Sequence, residues 1–195
     1  VIFTAIYLKQ NKLLAIQDPG NLTEIELKGV MEFLIDKKRA GQFRKLWNGW
    51  EQGVEVLRSG EVWVMTGWEP IVKALLDQGI NAKYAVPKEG YEGWSNDMLL
   101  HAGAANRGLV DLCHRVADWF YGGMYGTALA LSRGYAVPND STVRYVQQYN
   151  PKGGQDVLNT LDHVREKISK TLFWQNVRPD NYQLYEEWWS KLRAS

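Results

Sequence analysis

The chain has 195 residues, 45% of them hydrophobic and 23% charged, with a formal net charge of +1. That balance describes a folded globular protein of one large domain or two small lobes; it excludes a disordered chain, the basic footprint of a nucleic-acid binder and a polybasic membrane anchor. The lone cysteine, Cys113, excludes an intramolecular disulfide framework, and no stretch approaches the roughly 18 apolar residues of a membrane span.

In chain order, the apolar run Val1 to Leu8 is too short for a span and lacks a basic flank, so it does not read as a signal peptide. It reads as a helix entered partway along its length, in a processed or truncated chain. The spacing Thr23-x-x-Glu26 predicts a capping box ahead of Leu27, Val30, Met31, Leu34 and Ile35 at helical intervals. Lys37, Lys38 and Arg39 then read as a solvated last turn that complements the helix dipole. A short helix is expected from Gln52 to Arg58, closing at Ser59 and Gly60.

Residues 61–67, from Glu61 to Gly67, are β-rich and nearly continuous in apolar character, as a strand covered on both faces would be. Pro70 suits the first turn of a helix that runs to Gln78 and stops at Gly79. Lys83 to Val86 and Asp97 to Leu100 are further strand candidates. This order of strand, helix and strand predicts an α/β architecture with ligands near the carboxyl ends of strands, where Trp68 and Trp94 fall. Beyond Gly103 helices are expected over 106–121, 127–132, 141–148, 156–170 and 181–193, with Gln183 as a capping partner for Asp180.

Little in the chain points to catalysis. Cys113 and His114 are neighbours, so on a helix their side chains diverge by about 100° and cannot form a dyad with each other. His101, His114 and His163 lack the local spacings of a zinc site, so neither a metal nor a cofactor is expected. Residues 122–126, Gly-Gly-Met-Tyr-Gly, are glycine-rich but follow a helix, whereas a phosphate-cradling loop follows a strand; they read as a helix end and turn. An α/β enzyme would need a titratable pair converging in a pocket, which the sequence does not present.

Aromatic residues are the richest resource, with nine tryptophans and ten tyrosines. Rings and amides cluster near turns at Trp68, Trp94, Asn96, Tyr135 and Gln175. Taken singly, each fits the core or a cap better than a site. Trp94 in particular stands beside Ser95, Asn96 and Asp97, and a ligand site would explain both a large ring and its polar neighbours.

Five stretches taken together resemble a known family. They are Ser59 to Val62 leading into Trp68; Pro87-Lys88-Glu89-Gly90 into Trp94; Gly134-Tyr135-Ala136-Val137-Pro138-Asn139; Phe173-Trp174-Gln175-Asn176; and Leu184 to Leu192. Their order and spacing are similar to the C-terminal portion of spermidine/putrescine-type periplasmic solute-binding proteins, the capture subunits of ATP-driven importers. The resemblance implies an α/β clamshell of the periplasmic-binding-protein type II class, with residues 1–94 in the second lobe, 95–145 completing the first and 146–195 returning to the second. It implies a fragment whose missing N-terminal half of the first lobe is a partner, along with a membrane permease and a small-molecule solute. It also implies no enzymatic activity and a periplasmic location, or a lipid anchor outside the cytoplasmic membrane.

By the same resemblance Trp68, Trp94, Tyr135 and Gln175 match residues that contact a polyamine. Polyamine binders carry an aspartate two positions after the second tryptophan; here that position is Asn96, followed by Asp97. An ammonium buried without a carboxylate costs several kcal/mol. Either Asp97 takes the role, or the solute lacks that charge, as an amino-acid derivative or organic anion would. A ligand sensor reporting to a receptor is a further alternative. Strand alternation would turn Asn96 and Asp97 to opposite faces, which makes the two cases structurally distinct.

Overall fold

A computed structural model describes residues 1–174 and 178–195, with side chains described outside 172–177. Two compact units interleave along the chain. The first comprises Val1–Met65, Ala85–Trp94 and Lys170–Ser195, and the second Thr66–Tyr84 and Ser95–Ser169.

The first unit is built on three helices, α1 (Ile2–Gln10), α2 (Glu24–Arg39) and α3 (Trp50–Arg58), with a fourth added from the far end of the sequence. The predicted capping box starts α2: Glu26 N–H donates to Thr23 Oγ1 at 3.3 Å, while Thr23 N–H and Oγ1 both donate to Glu26 Oε2 at 2.7 Å. The apolar stripe foreseen for this helix is buried, with Leu27, Val30 and Met31 sealed from solvent together with Leu22. Ala5, Leu8, Ile16 and Leu192 complete that core, and Leu184, Tyr185, Trp188 and Trp189 pack against it. Each fully buried aliphatic chain of this kind contributes about 1.5–3 kcal/mol.

Polar bonds fasten the distant segment to the core. Asn21 Nδ2 donates to Asp180 Oδ2 at 2.9 Å and Asp180 N–H returns a bond to Asn21 Oδ1 at 3.0 Å. Asp180 is therefore engaged with Asn21; the last helix takes Asn181 as its N-cap, with no side-chain capping bond. Lys38 is also more than a solvated charge, because its Nζ donates to the carbonyls of Leu192 at 2.8 Å and Arg193 at 2.9 Å. It thereby satisfies acceptors that a helix end leaves open.

The second unit is helical throughout its regular structure. After α4 (Glu69–Asp77) come α5 (Gly103–Asn106), α6 (Val110–Phe120), α7 (Gly123–Arg133), α8 (Asp140–Tyr149) and α9 (Gly154–Ser169). The helix expected over 106–121 is broken at Gly108, whose φ of 65° a helix interior does not admit. The glycines at 122–126 have a packing role beyond the predicted turn: a Cβ at Gly123 would strike the Ser141 carbonyl oxygen, and one at Gly126 would strike Thr142 Oγ1. Bare backbone on α7 lets α8 approach closely, over a small core of Ala130, Val146 and Val157.

The expected α/β clamshell is not what forms. The chain is mostly helical, and its strands among the described residues are β1 (Tyr91–Gly93) and β2 (Thr171–Trp174), a single short parallel pair in the first unit. The three segments read as strands have no ladder partners and lie outside regular structure. Far from being covered on both faces, Trp63 is 90% exposed, Val64 88% and Leu99 92%. Their local β preference is intact, but a strand exists only when another pairs with it. Side chains take up some of the carbonyls instead: Tyr84 Oη donates to Gly67 O at 3.0 Å and Tyr91 Oη to Ala85 O at 3.2 Å. The helix α10 (Tyr182–Ala194) closes the chain.

Two stability tests follow from these contacts. Burial alone raises the Glu26 carboxyl, but bonds from Gln17 N–H and Thr23, with the Lys9 charge, outweigh it and hold the group below the ordinary glutamate range. Its contribution is therefore present at neutral pH and lost as pH falls through the lowered value. Glu26→Gln should cost about 1–3 kcal/mol near neutrality by urea denaturation, with the gap to wild type closing in acid. A gap that is the same at both pH values would contradict the charge-assisted account. Gly126→Ala should cost about 1–3 kcal/mol through overpacking, whereas in a Thr142→Ala background the same change should be neutral or stabilising. Equal losses in both backgrounds would exclude the close approach as the cause.

Candidate functional site

The most chemically distinctive cluster lies inside the second unit. Trp68 is the N-cap of α4, Glu69 its first residue, and Pro70 follows in the first turn, where a missing N–H is harmless. A carboxylate at this end also suits the helix dipole. Lys167, near the end of α9, places its ammonium against Glu69 Oε1, and both side chains are nearly enclosed, at 15% and 16% exposure. The same ammonium stands over the Tyr84 ring, 3.9 Å from its centroid. Burial pulls the Lys167 ammonium down to about 8, even with a carboxylate beside it.

His163 lies one turn earlier on α9, on the same face as Lys167. Its ring meets Tyr84 edge-on at 6.1 Å and 67°, and its buried Nε2 has no hydrogen-bond partner among the described residues. The result is a cluster in which the Lys167 ammonium meets the Glu69 carboxylate and the face of one ring, with a second ring edge-on to the first. Cation–π contact and a close carboxylate are the two features that recognise an alkylammonium in a partly dry setting.

The residues foreseen from sequence are distributed as follows. Trp68 is 39% exposed and Tyr135 partly buried, and both belong to the second unit. Gly134 ends α7 in the left-handed region at φ 71°, and a Cβ there would sit 3.6 Å from the Glu69 carbonyl and 3.2 Å from Lys73 Cβ. The backbone leading to Tyr135 therefore runs beside the turn that Trp68 caps, and burial pushes the Tyr135 phenol up. Trp94 directly follows β1 in the first unit.

Asn96 and Asp97 are both exposed, in a segment without regular structure, so strand alternation does not divide them between two faces. Ser95 Oγ donates to Asp97 Oδ1 at 2.9 Å. Gln175 lies outside the described residues.

Glu69, Tyr84, His163 and Lys167 were not foreseen. The spacing of His163 and Lys167 was available as a helical pair, but nothing local joins them to Glu69, which lies far away in the chain. Elsewhere, a shallow depression of 530 Å³ at the start of α10 is lined by Arg178, Asp180, Tyr182 and Glu187, with the Arg178 guanidinium 3.4 Å from the Tyr182 ring centroid. It contains none of the residues of the enclosed cluster.

Comparison with protein-family models, curated proteins and solved structures finds no match. Among the described residues no group of three or more His, Cys, Asp or Glu side chains could hold a metal ion, and no helix is long and apolar enough to cross a membrane.

Proposed function

We propose that the chain captures a small amine-bearing solute of the polyamine class, as the binding subunit of an ATP-driven importer acting outside the cytoplasmic membrane, with a membrane permease as its partner. The observation that carries this reading is the enclosed ammonium of Lys167 on Glu69 and the Tyr84 ring, with the exposed Trp68 next to Glu69 in the chain. A carboxylate neutralises the charged end of an amine, and ring faces attract the cation while covering the methylene stem. The order of the five motifs around Trp68, Trp94, Tyr135, Gln175 and the last helix supports the same class of solute.

A second reading has one specific observation in its favour. Asn96 carries no charge where polyamine binders have an aspartate, which favours an amino-acid derivative or an organic anion.

Calorimetry with putrescine and spermidine should give saturable heat. Trp68→Ala should weaken binding about tenfold, on the order of 1–2 kcal/mol for loss of one ring face over a cation. Absence of heat and of any thermal shift with either polyamine removes the polyamine reading. Heat only with amino-acid derivatives or organic anions decides for the second.

A further inference from the structure

The Lys167 side chain is chemically an n-butylammonium, the same group that putrescine presents at each end. Its surroundings are those of a bound amine: a carboxylate in direct contact, an aromatic face at 3.9 Å and little solvent. The cluster is nonetheless imperfectly satisfied, since His163 Nε2 is buried with no hydrogen-bond partner among the described residues. Buried polar atoms are nearly always paired, so an orphan beside an aromatic wall marks a place where another polar group belongs. Lys167 stands only two residues before the end of α9 at Ser169, and its long stem is flexible.

We infer that Glu69, Tyr84 and His163 form a primary-alkylammonium subsite which the chain fills with its own Lys167 as a tethered surrogate, and that an incoming amine takes the subsite by displacing that lysine. Nothing is made or broken covalently; one ammonium replaces another on the same carboxylate. The exchange leaves the charge of the site unchanged, because one primary ammonium leaves Glu69 as another takes its place against the Tyr84 ring. Ejecting Lys167 into solvent recovers hydration that offsets part of the cost of drying the ligand. An amine with a second ammonium gains further, because its far end can meet His163 or water while the near end sits on Glu69.

The biological ligand in this inference rests on the amine-capture reading, but the subsite can be tested apart from it. Lys167→Ala excises n-propylammonium. That ion, added back, should therefore bind the variant at least tenfold more tightly than it binds wild type and raise its melting temperature; n-propanol should not. Glu69→Gln in the Lys167→Ala background should abolish the response. A folded Lys167→Ala protein indifferent to n-propylammonium, or an equal response without Glu69, overturns the subsite.

Should Lys167→Ala fail to fold, Glu69→Gln alone decides by calorimetry with putrescine: at least tenfold weaker binding than wild type is expected, and unchanged binding overturns the inference. Putrescine binding to wild type with no dependence on Glu69 leaves solute capture standing and removes the surrogate. Rescue of Lys167→Ala by n-propylammonium, with no polyamine bound by wild type, establishes the subsite and removes polyamine capture.

Discussion

Every backbone N–H and C=O taken from water must find a partner, and this chain meets that demand chiefly within helices. A helix satisfies itself locally, so what remains to be arranged is how helices approach one another and what closes their ends. The close approach of α7 and α8 depends on glycines that present bare backbone. Helix ends depend on borrowed groups: Thr23 and Glu26 at the start of α2, Asn139 Oδ1 accepting from Ser141 N–H at the start of α8, and Lys38 at the end of α10. Where the chain is extended without a strand partner, tyrosine hydroxyls serve some of its carbonyls.

The same economy of polar groups governs the cluster at Glu69. Two opposite charges in a partly dry place attract strongly, yet each has lost water, and the balance between those terms is narrow. Lys167 illustrates the narrowness, with a carboxylate in contact and a proton held less firmly than in solution. A pair so balanced is poor evidence of stability and better suited to exchange. The Tyr84 ring is also held by its edge-on contact with His163 and by its own bond to the Gly67 carbonyl.

How much could be read from residues alone divides along the distance between partners. The helices were legible because their signals are local: Thr23 and Glu26 lie within one turn, Pro70 and Gly79 bracket α4, and Gly134 closes α7. The sheet was misread because Glu61 to Gly67 has a strand's composition, and pairing is a property of a second segment that composition cannot supply. Gly123 and Gly126 read as a turn because the helix they admit, α8, begins beyond them in sequence. Glu69 and Lys167 are far apart in sequence, and Tyr84 stands between them, so no window of sequence contains the cluster. Trp68 was singled out for its place at an element boundary; it is the boundary of a helix rather than of a strand.

The interleaving of the two units bears on how the molecule comes together during synthesis. The bonds from Asn21 to Asp180, from Leu22 to Tyr185 and from Lys38 to the end of α10 span 159, 163 and 154 residues. Leu192 is one of the sealed members of the first unit's core. That core stays open until α10 has left the ribosome, while residues 95–169 emerge earlier as a contiguous stretch able to pack α7, α8 and α9 together. The opening segments of the first unit are thus among the last to be finished, because Leu192 reaches their core only once α10 has been made. Part of the α2 stripe therefore stays in contact with water while residues 95–169 are added, a delay set by the order of the segments rather than by their composition.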